Sequence, residues 1–165
     1  MKQIPRYLLF GALVAVVGAA TLGYIYAGRT LEPHRSAFSQ SVIWVKTPRD
    51  QIPLKVEVAD TPERWSRGLR GRKSLDENAG MVFVLPSVRD TPVSTAGYKF
   101  PISVAFYDAN GVILHILEAP PCQTNPCPLY TPGVAYKGAL EVNRGWFERT
   151  GVREGDILSG DILNR

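Results

Sequence analysis

Glycine and proline interrupt this chain too often for it to build long helices. There are 15 glycines and 13 prolines in 165 residues. An interior glycine costs a helix about 1 kcal/mol and an interior proline about 3. Between these breaks the apolar stretches have the length of single strands. A helical bundle is therefore excluded, and short strands joined by turns are expected.

The runs themselves agree. Val42-Ile43-Trp44-Val45 is apolar and largely β-branched, as a strand should be. Thr47-Pro48-Arg49-Asp50 is turn chemistry. Leu54, Val56 and Val58 then alternate with Lys55 and Glu57, which marks a half-buried strand with one wet face. The two segments predict a hairpin. Gly80 to Leu85 is continuously apolar and ends at Pro86, a buried strand. Residues 87–99 are polar and irregular. Ile102 to Tyr107 and Val112 to Leu117 are strands around Asp108-Ala109-Asn110-Gly111, where Asn-Gly tolerates positive φ. Ala135 to Val142 and Ile157 to Leu163 complete the set, and residues 119–133 form a proline-rich loop.

Two helices are expected. Thr61-Pro62-Glu63 places a capping hydroxyl, a first-turn proline and an acid at a helix start. Arg64, Trp65, Arg67 and Leu69 would follow, limited by Gly68 and Gly71. Asn143 to Thr150 is the second helix, with Asn143 as its cap and Gly151 as its stop. The expected fold class is mainly β, at the margin of α+β. It is a small antiparallel barrel-like domain with two short helices, preceded by one N-terminal transmembrane helix.

That transmembrane helix is read from Tyr7 to Ala27, 21 residues without a charge. A helix of about 20 residues spans a bilayer's hydrocarbon core. Lys2 and Arg6 precede it and keep residues 1–6 cytoplasmic under the positive-inside bias. The length favours an uncleaved signal anchor over a cleaved signal, whose apolar core is shorter. Either reading puts the folded part outside the cytoplasm. The expected localisation is the inner or cytoplasmic membrane, single-pass. Residues 28–40 read as a linker and 41–165 as the β-rich domain.

The net charge of +4 belongs mostly to the ends of the apolar segment. Residues 36–165 carry 15 basic and 14 acidic side chains. A nucleic-acid binder concentrates positive charge on its folded domain, so nucleic acid is set aside as a partner.

Ordered blocks run through the folded part. They are Val56-Glu57-Val58-Ala59, Thr61-Pro62-Glu63-Arg64, Gly68-Leu69 with Arg72, and Gly80-Met81-Val82-Phe83. Pro101-Ile102, Phe106-Tyr107-Asp108 with Gly111, Pro121-Cys122, and Cys127-Pro128 with Tyr130 follow. Leu140-Glu141-Val142-Asn143, Gly145-Trp146, Gly151 and Gly155-Asp156 close the series. Over about residues 52–163 this pattern resembles the prokaryotic domain-of-unknown-function family DUF192. The resemblance implies a small β-rich barrel-like fold, usually exported or anchored, and no assigned activity. The family typically carries Trp-Met-x-Asn-Thr before the proline that aligns with Pro101, and an Asp two residues after it. Here Ser94-Thr95-Ala96-Gly97-Tyr98 and Ser103 stand there, so Gly97 and Ser103 replace the family's Asn and Asp.

Few residues suggest chemistry. Cys122 and Cys127 have four residues between them, and outside the cytoplasm a disulfide is their expected state. His115, in an apolar strand, reads as a hydrogen-bonded histidine on a partly covered sheet face. Arg64, Arg67, Arg70, Arg72 and Lys73 form the densest charge feature, read first as a solvated helix face and otherwise as an anion-binding patch. Glu141 is expected to be a buried acid paired with Arg72. Arg67, Arg70, Arg72, Glu141 and Asn143 together are the candidate polar or anion site. No catalytic set, cofactor motif or metal motif is present in the sequence. The leading expectation is an accessory or protein-interaction module of the cell envelope, with the membrane and an envelope protein as partners. A small-ligand-binding domain, with residues 87–99 as its pocket wall, is the alternative. A hydrolase or redox enzyme is the third.

Overall fold

The computed structural model describes residues 38–164, and the readings made for residues 1–37 lie outside them. Seven strands form one sheet: β1 (Ser39–Lys46), β2 (Gln51–Ala59), β3 (Ala79–Arg89), β4 (Ile102–Tyr107), β5 (Ile113–Ala119), β6 (Tyr136–Asn143) and β7 (Ile157–Ser159). Their spatial order is β5-β4-β6-β3-β2-β1-β7. Among the described residues, two short helices, α1 (Pro62–Arg67) and α2 (Trp146–Thr150), and a 3-10 turn (Asp161–Asn164) accompany the sheet.

The sheet curls until its outer strands meet at one end. Val112 bridges Ile157, and the Leu158 amide donates to the Gly111 carbonyl at 2.7 Å. Inside the curl lie Ile43, Val45, Leu54, Val56, Val82, Val84, Leu140, Val142 and Leu158. Trp146 and Phe147 of α2 are buried against them, each worth about 1.5–3 kcal/mol relative to exposure. The opposite face of β3, β6 and β4 carries a second apolar layer: Met81, Leu85, Ile102, Val104, Phe106 and Ala139, covered by Leu69, Tyr98 and Phe100. Strands covered on both faces read as continuous apolar runs rather than alternating ones. That accounts for the Gly80–Leu85 and Ile102–Tyr107 runs.

The Asp108–Gly111 turn and the Thr61 cap work locally as the sequence predicts. Asp108 accepts from the Asn110 and Val112 amides through Oδ1, and Gly111 has φ +79°. Thr61 accepts from the Arg64 amide at the start of α1.

Five expectations are corrected. The sheet is not wholly antiparallel: β2 and β3 pair in parallel, from Lys55↔Ala79 to Ala59↔Phe83. A parallel pair requires a crossover connection, and residues 60–78, which include α1, supply it. α1 stops at Arg67, so Leu69 is buried beyond the helix. β3 runs through Pro86 to Arg89, because an irregularity in its pairing with β6 between Val84 and Arg89 accommodates a residue without an amide hydrogen. The last strand is only Ile157–Ser159, and residues 161–164 turn as a 3-10 helix. Gly145, in the left-handed region at φ 74°, precedes α2 in place of an Asn143 cap.

Candidate functional site

The crossover opens a cleft. The outward-facing residues of β1 and β2, which alternate with core residues, form its floor. Gln40 and Val42 come from β1, and Lys55 and Glu57 from β2. Arg72, Ser74, Leu75 and Asp76, on the segment leading into β3, form the opposite wall. The volume is about 610 Å³, within the range of small-molecule sites. Gly80 lies at its inner edge, where a side chain would press on the Glu141 carbonyl at 2.8 Å.

Arg72 organises one end. Its two terminal nitrogens bind both Glu57 carboxylate oxygens, Nη1 at 3.1 Å to Oε1 and Nη2 to Oε2. Its guanidinium also lies 5.6 Å from the Phe38 ring centroid, with Arg67 at 5.8 Å from the same ring, inside cation–π range. Lys55 and Asp76 also line the cleft. Among the described residues neither side chain enters an ion pair.

The wall is fastened to the sheet from beneath. Asn143 donates to the Leu75 and Asp76 carbonyls at 3.1 and 2.9 Å. Two residues earlier on β6, and so on the same face, Glu141 is 5% exposed. It accepts from the Tyr98 hydroxyl at 2.8 Å, and that hydroxyl packs directly on Gly68, where a Cβ would overlap it. Burial pushes the Glu141 carboxyl up to about 8, only partly offset by the Tyr98 hydrogen bond. Burial and the neighbouring Glu141 also push the Tyr98 hydroxyl up.

The five polar-site candidates do not share one pocket. Arg72 lines the cleft, but its partner is Glu57, so the expected Glu141–Arg72 pair is replaced by Glu141–Tyr98. A bidentate bond to a carboxylate on the adjacent strand satisfies the guanidinium where it stands. Arg67 stacks on Phe38, and Arg70 lies along Gly97, its stem within 3.5–3.8 Å of where a Cβ would be. Arg64 binds Asp60. The basic run is therefore distributed among partners rather than presented as one helix face. None of residues 87–99 lines the cleft. Sequence reasoning missed Phe38, Tyr98 and Asp76; the useful signal was an acid, Glu141, between two apolar residues of a buried strand.

Elsewhere the picture is structural. Ser103, at the position of the family's Asp, is fully buried, donates to Glu118 at 2.5 Å and accepts from the Gly145 amide at 2.8 Å. Glu118 is its register partner on β5, so a carboxylate is supplied from the next strand. His115 Nδ1 lies 2.9 Å from Glu154, which also accepts from the Ile116 amide. Those hydrogen bonds, the backbone one foremost, hold the Glu154 carboxyl below its usual range. Among the described residues no three His, Cys, Asp or Glu side chains converge as a metal site. No described helix is long and apolar enough to cross a membrane.

Cys122 and Cys127 form a disulfide. It closes a short loop, so replacing both with serine should lower stability by only about 2 kcal/mol. Denaturant unfolding of the double variant checks this: the midpoint should fall, with a slope equal to or slightly above that of the native chain because the unfolded state is less constrained.

These features define a curled, mainly β domain with a crossover cleft and a buried carboxyl behind it. The chain belongs to the DUF192 family, described as "Uncharacterized ACR", whose model matches residues 44–160. No curated protein matches it. Among solved structures it is similar to a "putative transcription regulator" from Sinorhizobium meliloti 1021, at 24% identity and TM-score 0.71, covering 77% of this chain and 98% of that one. It is also similar to a protein of unknown function from Novosphingobium aromaticivorans DSM 12444, at 19% identity and TM-score 0.67, covering 78% and 90%. Both likenesses concern the fold.

Proposed function

We propose that this domain is a binding module that takes a small zwitterionic ligand, an amino acid or short peptide, in the crossover cleft. The observation that carries this is the pairing of Lys55 and Asp76 as cleft-lining charges of opposite sign, neither in an ion pair among the described residues. Lys55 matches a ligand carboxylate and Asp76 a ligand ammonium. Gln40, Ser41 and Ser74 add polar groups around them. The Arg72–Glu57 pair is internally neutralised and serves as a rigid end wall. The module works outside the cytoplasm, tethered through residues 7–27. The charge-free apolar run and the disulfide support that placement.

The test is a melting screen of the full chain in detergent micelles against amino acids and dipeptides. A ligand at a hundredfold excess over its Kd adds about 2.7 kcal/mol. At roughly 3 °C per kcal/mol, that is a rise near 8 °C for a domain of this size. Asp76→Ala and Lys55→Ala should each abolish the rise while leaving the ligand-free midpoint within about 1 °C, as surface changes do. No rise with any compound in the panel, or a rise that survives both substitutions, would sink this reading.

A second reading, an interaction module of the envelope, is favoured by exposed apolar side chains. Val42, Trp44 and Ile157 are 48%, 41% and 40% exposed. They sit on adjacent strands β1 and β7. Under that reading, a stoichiometric partner captured from gently solubilised membranes is lost on Trp44→Ser, and the ligand response is kept.

A further inference from the structure

We propose that the Glu141 carboxyl and the Tyr98 hydroxyl form a proton-controlled latch beneath the cleft wall, so that losing one proton from this pair loosens the start of the wall, residues 68–71. The inference rests on the binding reading only for its consequence; the latch itself is argued from packing.

Besides the Arg72–Glu57 pair and the Gly71 amide bonded to the Gly97 carbonyl at 3.1 Å, the wall, residues 68–76, has two attachments on the β6 side. One is permanent: the Asn143 amide, which does not titrate, holds the Leu75 and Asp76 carbonyls. The other runs from Glu141 through the Tyr98 hydroxyl to the backbone of Gly68, on which that hydroxyl packs. It therefore joins three separate pieces of chain: β6, the segment before β4, and the start of the wall.

The surroundings leave the carboxyl no other means of bearing a charge. Its register partners are Met81 on β3 and Val104 on β4, both fully buried and apolar. From the covering segments the facing groups are Tyr98 and Leu69. Arg70 is the cation close enough to act on the Tyr98 hydroxyl. Burial already biases the carboxyl toward its neutral form. In that form its carbonyl oxygen accepts from Tyr98, and the layer is satisfied. When the acid's O–H bond breaks and the proton passes to solvent, a carboxylate is left in an apolar layer with one donor. A buried unpaired charge is relieved by pairing or by water. Arg70 is placed to provide the first, because its stem lies along Gly97, where no side chain stands in the way. Either relief displaces Tyr98 and uncovers the backbone at Gly68. The start of the wall, residues 68–71, then loses its upper attachment, while the Arg72–Glu57 pair and Asn143 still hold the part that follows.

Amide hydrogen exchange on the full chain in detergent micelles tests this without any ligand. Protection factors, corrected for intrinsic exchange, are compared at about pH 6.5 and pH 9 for peptides covering 68–78 and 113–119. Wall protection should fall at the higher pH by about tenfold or more beyond any fall in β5, the pattern of a local opening added to a lower global stability. In Glu141→Gln, which keeps an acceptor and cannot ionise, wall protection should not change with pH. Equal wall protection at both pH values in the native chain would overturn the latch, and so would an equal fall in the Gln variant. Should Glu141→Gln fail to fold, Tyr98→Phe serves instead: it removes the donor, and low wall protection is expected at both pH values. High protection in that variant overturns the proposal. A wall that opens with pH in a chain that binds nothing in the melting screen would leave the latch standing and remove the ligand reading alone.

Discussion

Glu141→Gln should make this protein more stable at pH 8 and leave it almost unchanged at pH 5. In the folded chain the carboxyl is raised to about 8 by burial, whereas in the unfolded chain it titrates in the ordinary glutamate range near 4.3. Between those values the folded state holds a proton that the unfolded state has released. Stability therefore falls as pH rises, by about 1.4 kcal/mol per unit. The contribution is fully present below the unfolded value and lost by the time pH passes the folded one. Glutamine removes the dependence and preserves an oxygen for the Tyr98 hydroxyl. By pH 8 the variant should lead by about 3 kcal/mol or more. Denaturant midpoints at half-unit steps from pH 5 to 8.5 measure it. Parallel curves for the two proteins would show that the carboxyl titrates alike folded and unfolded, and the buried acid would have to be given up.

The local parts of this molecule were legible in its sequence. The alternation of Leu54, Val56 and Val58 with Lys55 and Glu57 identified both the strand and its outward face, and that face became the cleft floor. Asp108 to Gly111 made the hairpin turn it advertised. The pairing of β2 with β3 was not legible. Two apolar strands flanking a short helix are consistent with either direction, and only the length of the connection hinted at a crossover. The cleft inherits that difficulty, because it forms between residues 40–42, 55–57 and 72–80, which the chain brings together only through the crossover. Glu141 was recognisable as a buried acid because it stands between Leu140 and Val142. Its partner was not, since Tyr98 precedes it by 43 residues and lies in a segment whose sequence departs from the family pattern. The shared family blocks suggested Arg72; the sheet instead placed Glu57 within reach of that guanidinium.

The short Gly68-Leu69 block gains a physical reason from the same site. Gly68 follows α1 with φ 47° and ψ −139°, a region open to glycine and costly by about 1–3 kcal/mol for other residues. A Cβ there would also overlap the Tyr98 hydroxyl and approach Phe83 to 3.4 Å. Gly68→Ala should therefore act twice. It strains the backbone where α1 turns into the cleft wall, and it drives Tyr98 away from Glu141. The second effect leaves a buried carboxyl without its donor, at about 1–3 kcal/mol more. The expected loss is about 3–5 kcal/mol, enough to lower the melting midpoint by roughly 10 °C or more. Pairing it with Tyr98→Phe separates the two contributions. If the steric conflict with the hydroxyl is real, the double variant should lose clearly less than the two single losses added together, because the smaller ring no longer meets the new methyl. Strict additivity would assign the whole cost of Gly68→Ala to its backbone angles and detach the glycine from the carboxyl site.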